Sequence, residues 1–123
     1  MTVYKIGTDR LTIAIVKEIT EAKQTIALSA EATERIVKCR NYLDAKLNKT
    51  EEPIYGINTG FGYLQDVKVD ADHLTQLQHN LLLSHACGTG NEVPKSIVKL
   101  MLLLKIQSLS YGHSAVALTT VQR

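Results

Sequence analysis

From Ser29 onward the apolar residues fall into helical spacing. Ala32, Ile36, Cys39, Leu43 and Leu47 recur at three- and four-residue steps, which marks a helix that buries one face. Ser29 stands ahead of them as an N-cap, with Glu31 in the first turn facing the positive helix end. Glu34 and Lys38 lie four apart on the opposite side and can pair. Cys39 on the buried face reads as a small hydrophobe. Upstream, Leu11, Ile13, Ile15 and Val16 suit a short helix reaching Thr20, and their β-branching leaves a strand open. Thr2 to Ile6 reads as a short strand or extended arm, followed by a turn at Gly7-Thr8-Asp9.

Downstream the pattern predicts two more helices. Asp70 is placed to cap one running from Ala71 to about Ala86, with Leu74, Leu77 and Leu81 as its apolar stripe. Leu82 and Leu83 broaden that stripe, and His85 continues it to the helix end, before Cys87-Gly88-Thr89-Gly90. His73 and His79 fall on its polar side. Pro94 opens the last helix. From Ile97 to Leu109 that helix is apolar on nearly every side, so other helices must enclose it.

Between the helix that follows Ser29 and the one that follows Asp70 the periodicity stops. Asn48 to Pro53 is a polar break, and Pro53 holds Glu52 away from helix. Tyr55-Gly56-Ile57-Asn58-Thr59-Gly60-Phe61-Gly62 then carries three glycines in seven positions, which fits neither a helix nor a regular strand. Asn tolerates turn conformations, so this is a shaped, backbone-rich bend bracketed by two aromatic rings. A phosphate loop is excluded, because GxGxxG spacing and a Gly-Lys-Ser/Thr ending are both absent. The plain structural alternative is a glycine loop whose Tyr55 packs on the core. Val67 to Val69 reads as a short edge strand.

Composition changes little in this picture. The 123 residues are 45% hydrophobic and 21% charged, which belongs to a folded domain. A formal charge of +2, with scattered Lys and Arg, gives no basic stripe for nucleic acid. The apolar run Met101–Leu104 is far too short for a membrane span. Met1 to Gly7 lacks the pattern of a signal peptide. Cys39 and Cys87 form no CxxC pair, so reduced thiols and a cytoplasmic location are expected. None of the four histidines (73, 79, 85 and 113) has the spacing of a metal site.

The two chemistry-bearing stretches together resemble one family. Y-G-I-N-T-G-F-G at 55–62 and L-Q-H-N-L-L-L-S-H-A-C-G-T-G at 77–90 are similar to the N-terminal part of histidine ammonia-lyases. More broadly they resemble the aromatic amino acid lyases and aminomutases that use a methylidene-imidazolone group. The resemblance implies a mainly α fold with a small β element: an N-terminal lyase domain over residues 1–92, and the start of a central helical bundle over 93–123. It also implies a tetramer whose sites draw on several subunits, and L-histidine as an amino-acid substrate.

Residue by residue, it makes Tyr55 the base that removes the β-proton. Any tyrosine in that role needs its pKa brought down from about 10. His85 would place the substrate side chain, with Ser84 beside it, and Asn58 and Gly60 to Gly62 would shape the mouth of the site. Ser-His at 84–85 is similar to histidine-specific enzymes, and some tyrosine lyases and aminomutases carry it too.

Two features depart from the family pattern. No Ala-Ser-Gly, the tripeptide that cyclises to methylidene-imidazolone, occurs in the chain, so it is expected to be inactive alone. Gly112-His113-Ser114-Ala115-Val116-Ala117 stands where the family pattern is Gly-x-Ser-Gly-x-Arg. A tyrosine ammonia-lyase or aminomutase, or a non-catalytic binding or assembly module, remains an alternative.

Overall fold

The computed structural model describes residues 3–7, 9–50 and 52–123. Thr2 and Thr8, at the start of the expected strand and within the expected turn, lie outside them, as does Glu51 in the polar break. The fold is mainly α, with one small parallel sheet. Its residues form two compact units, 1–49 with 93–123, and 50–92. The second unit is one continuous stretch, whereas the first is made from both ends of the chain.

The first unit begins as a strand–helix–strand. β1 (Val3–Ile6) pairs in parallel with β2 (Thr25–Leu28), and α1 (Ile13–Glu21) is the crossover. Thr12 caps α1, its Oγ1 accepting from Ile15 N at 3.3 Å. The helix ends by reversing at Lys23, whose φ of 48° is left-handed. Gln24 N donates back to Ile19 O at 3.2 Å, which closes the end and turns the chain into β2.

α2 (Ala30–Leu47) follows directly. Ser29 Oγ accepts from Ala32 N at 3.0 Å, as its position predicted. Ala32 and Ile36 are buried, and Cys39, Leu43 and Leu47 continue the same face half-buried. Salt bridges join Glu31 to Arg35 and Asp44 to Arg40 on the outer side.

α4 (Lys95–Ser110) begins after Pro94 and packs against α2. Leu103 joins Ile6 and Ile19 in the core, flanked by Ile15, Leu28 and Ile106. Buried Gln107 ties α4 to the start of the chain, its Nε2 donating to Gly7 O at 2.9 Å and Asp9 O at 3.3 Å. Ile97, Met101, Leu102 and Leu104 on the same helix are exposed. The chain then turns at Gly112, where a Cβ would stand 2.7 Å from the carbonyl oxygen of Arg35. Only glycine permits that approach, and α5 (Leu118–Gln122) then buries Val121. Ala115 adopts a φ of 49°, a conformation that suits the glycine of the family pattern better than alanine.

Within the second unit α3 is shorter than expected and starts differently. Ala71–His73 form a 3₁₀ turn, and α3 spans Leu74–His85. Asp70 does not cap it: no side-chain hydrogen bond is made there. The tighter opening turn places Asp70 a full turn ahead of the first α-helical residue. The edge strand expected at Val67 to Val69 is reduced to a single bridge between Thr59 and Lys68, because the glycine loop opposite it cannot continue a ladder.

Candidate functional site

The loop that carries Tyr55 is built by its own polar groups. Ile57 N donates to Ile54 O at 3.0 Å, closing a four-residue turn. Gly56 takes the third position with φ 75°, the left-handed geometry that such a turn reserves for glycine. Tyr55 therefore stands at the turn's corner, 62% exposed. Its ring and that of Phe61 form a T-shaped pair with centroids 6.0 Å apart, so the two bracketing aromatics do come together. The phenol of Tyr55 makes no hydrogen bond among the described residues.

Asn58 is the buried keystone of this bend. Its Oδ1 accepts from Ile54 N at 2.6 Å and its Nδ2 donates to Glu52 O at 3.2 Å. Both ends of its amide are thus engaged in holding Tyr55's turn. Asn58 O and Gly60 N then bond Val69 N and Val67 O, at 2.8 and 3.0 Å. Thr59 is fully buried, and its Oγ1 donates to Gly60 O at 2.9 Å. A Cβ on Gly60 would lie 2.6 Å from that of Leu64, so glycine is required for the close approach. Gly62 opens a short 3₁₀ turn with φ 56° and faces open space. Thr59 had no place in the expected site; its position between Asn58 and a glycine was the available signal.

His85 and Ser84 occupy the last turn of α3. The stripe formed by Leu74, Leu77 and Leu81 is half-buried, but Leu82, Leu83 and His85 are exposed. The expectation that His85 prolongs a buried face is corrected here. Helical spacing aligns it with Leu77 and Leu81, yet α3 buries no residue, and in its unit it packs against the 3₁₀ turn before it. The helix stops at His85 because Ala86 takes φ −75° and ψ 67°, an inverse γ-turn closed by Cys87 N donating to His85 O at 2.8 Å. Ser84 Oγ donates to Leu81 O at 2.9 Å and lies 2.8 Å from His85 Nδ1.

The structure therefore brings Ser84 and His85 into one cluster, and Tyr55, Asn58, Gly60 and Gly62 into one loop. No hydrogen bond among the described residues joins the two groups. No set of three metal-binding side chains occurs among the described residues, and none of their helices is long and apolar enough to cross a membrane. A groove of about 670 Å³ in the first unit, floored by Ile19, Leu103 and Ile106, contains none of these site residues.

Residues 11–123 match the family described as aromatic amino acid lyase. The chain is 46% identical over 99 residues to a histidine ammonia-lyase of Deinococcus radiodurans, covering 80% of this chain and 19% of that protein. It is 37% identical over all 123 residues to the Staphylococcus aureus histidine ammonia-lyase, covering 24% of it.

Among solved structures, the Treponema denticola ergothionase superposes with a TM-score of 0.88 at 26% identity, over 98% of this chain and 24% of that one. A Trypanosoma cruzi histidine ammonia-lyase gives 0.83 at 32%, over 98% and 23%. The Streptomyces globisporus tyrosine aminomutase gives 0.82 at 28%, over 94% and 22%. The chain thus spans about a quarter or less of the proteins it resembles.

Proposed function

The chain belongs to the aromatic amino acid lyase family, and on that premise we propose that it is the N-terminal part of a histidine ammonia-lyase. The reaction is the non-oxidative loss of ammonia from L-histidine to give trans-urocanate. The observation that carries this reading is the 46% identity to a histidine ammonia-lyase over 80% of this chain, and the Ser84–His85 pair, 2.8 Å apart at the exposed end of α3, is compatible with it.

In this assignment Tyr55 accepts the β-proton of the substrate, and His85 holds the substrate's side chain. Asn58, Gly60 and Gly62 keep the loop in the shape that presents the phenol. Methylidene-imidazolone would supply the electrophile for amine departure. The 123 residues contain no Ala-Ser-Gly from which to form it, so they do not fit that group by themselves. The segment alone is expected to be inactive. The exposed apolar flank of α4, at Ile97, Met101, Leu102 and Leu104, supports assembly into a bundle, and a homotetramer is the proposed state.

A second reading has its own support. The likeness to a tyrosine aminomutase, at a TM-score of 0.82, keeps tyrosine as the alternative substrate. The deciding experiment compares kcat/KM for L-histidine and L-tyrosine in the enzyme encoded by the reading frame that carries this segment. A clear preference for histidine, with urocanate as product, is expected. Preference for tyrosine would transfer the assignment to the second reading.

A further inference from the structure

Three polar atoms crowd the end of α3 within hydrogen-bond distance of one another. Ser84 Oγ lies 2.9 Å from Leu81 O, His85 Nδ1 lies 3.0 Å from the same oxygen, and Ser84 Oγ and His85 Nδ1 are 2.8 Å apart. The carbonyl can only accept, so the contacts must share the hydrogens that Ser84 and His85 bring. If Nδ1 were bare, a single hydroxyl hydrogen would serve all three contacts. The Nδ1 lone pair would then face the Leu81 oxygen at 3.0 Å with nothing between them. With a hydrogen on Nδ1, that N–H donates to Ser84 Oγ and leans on Leu81 O, while the Ser84 hydroxyl donates to Leu81 O. Every contact is then attractive.

We infer that neutral His85 is held as the Nδ1–H tautomer, with Ser84 as its positioning residue, so that Nε2 is presented as a bare hydrogen-bond acceptor. The functional consequence, which rests on the lyase reading above, concerns the substrate class. A bare Nε2 recognises a side chain that donates: an imidazole N–H or a phenol O–H. A plain phenyl ring offers no donor and would leave it unpaired. The Ser84–His85 pair therefore selects donor-bearing aromatic amino acids as a class and does not by itself separate histidine from tyrosine. His85 is exposed and water competes for its ring, so the bias is finite.

The test is the ¹⁵N spectrum of the His85 imidazole in this 123-residue chain, at a pH where imidazoles are neutral, with His85→Gln used to assign its signals. The expected result is a pyrrole-type Nδ1 and a pyridine-type Nε2. Ser84→Ala should lower the Nδ1–H to Nε2–H ratio by about fivefold to tenfold, the size one neutral hydrogen bond supports. Ser84→Thr, which keeps the hydroxyl, should restore the ratio. A pyridine-type Nδ1 in the unsubstituted chain overturns the tautomer assignment, and an unchanged ratio in Ser84→Ala overturns the role of Ser84. Neither readout depends on turnover, so a failure here is separable from a failure of the lyase reading.

Discussion

α2 and α3 carry similar apolar spacing, yet they end in different states. α2 buries Ala32 and Ile36 against its own unit, and its N-terminus is closed by the Ser29 hydroxyl. α3 buries nothing, lacks a side-chain cap, and leaves Leu82 and Leu83 each 69% exposed. Spacing specifies which face of a helix is apolar; it does not specify what covers that face. The covered helix serves as scaffold, and the uncovered one presents Ser84 and His85. Such a division suits a segment spanning 19–24% of the relatives' length, whose site surfaces are proposed to meet further protein.

The sharpest way to break this comparison is to truncate one leucine-sized side chain on each helix. Ile36→Ala should cost about 2–5 kcal/mol, since it opens a cavity at a fully buried position. Leu82→Ala in the same chain should change stability by less than about 0.5 kcal/mol. Equal losses in urea titration would mean that α3 is packed as tightly as α2.

Asn58→Ala tests whether the loop is held from within. It strips Ile54 N of its acceptor and frees Glu52 O, at a cost of roughly 1–3 kcal/mol. Faster amide exchange confined to residues 54–69 would be the signature, and unchanged exchange would show that the turn stands without the amide.

The caps give a smaller contrast. Ser29→Ala should cost about 1 kcal/mol, whereas Asp70→Ala, with no capping bond to lose, should cost almost nothing. Thermal melts of the two variants read this directly. A change of opposite sign is expected at Ala115. Replacing it with glycine relieves a left-handed φ of 49° and should add about 0.5–1 kcal/mol of stability.

Local signals in the sequence were dependable where the deciding interaction is itself local. Ser29 and Ala32 lie three residues apart, and the N-cap follows from that alone. The turn at Gly56 and the end of α3 beyond His85 were likewise marked by their residues. β2 was not anticipated, because Thr25–Leu28 is four residues long and is stabilised by pairing with a strand some twenty residues away. Asp70 resembled a cap by the same rule as Ser29, but a 3₁₀ turn intervened.

Among the site residues, Tyr55 and His85 were marked out by the two motifs, whereas their surroundings were not. Asn58's amide proves to be engaged by Ile54 and Glu52, which makes it a shaper of the loop. The cluster of Ser84, His85 and the Leu81 carbonyl depends on rotamers that spacing does not encode.

The central claim is that this segment brings the base of a lyase, and Tyr55→Phe tests it most directly. In the enzyme encoded by the reading frame that carries the segment, kcat for histidine deamination should fall by about 10²- to 10⁴-fold. KM and the thermal melt should stay close to those of the unsubstituted enzyme, because the exposed phenol makes no hydrogen bond among the described residues. A kcat near the unsubstituted value would contradict the account and remove Tyr55 from the chemistry.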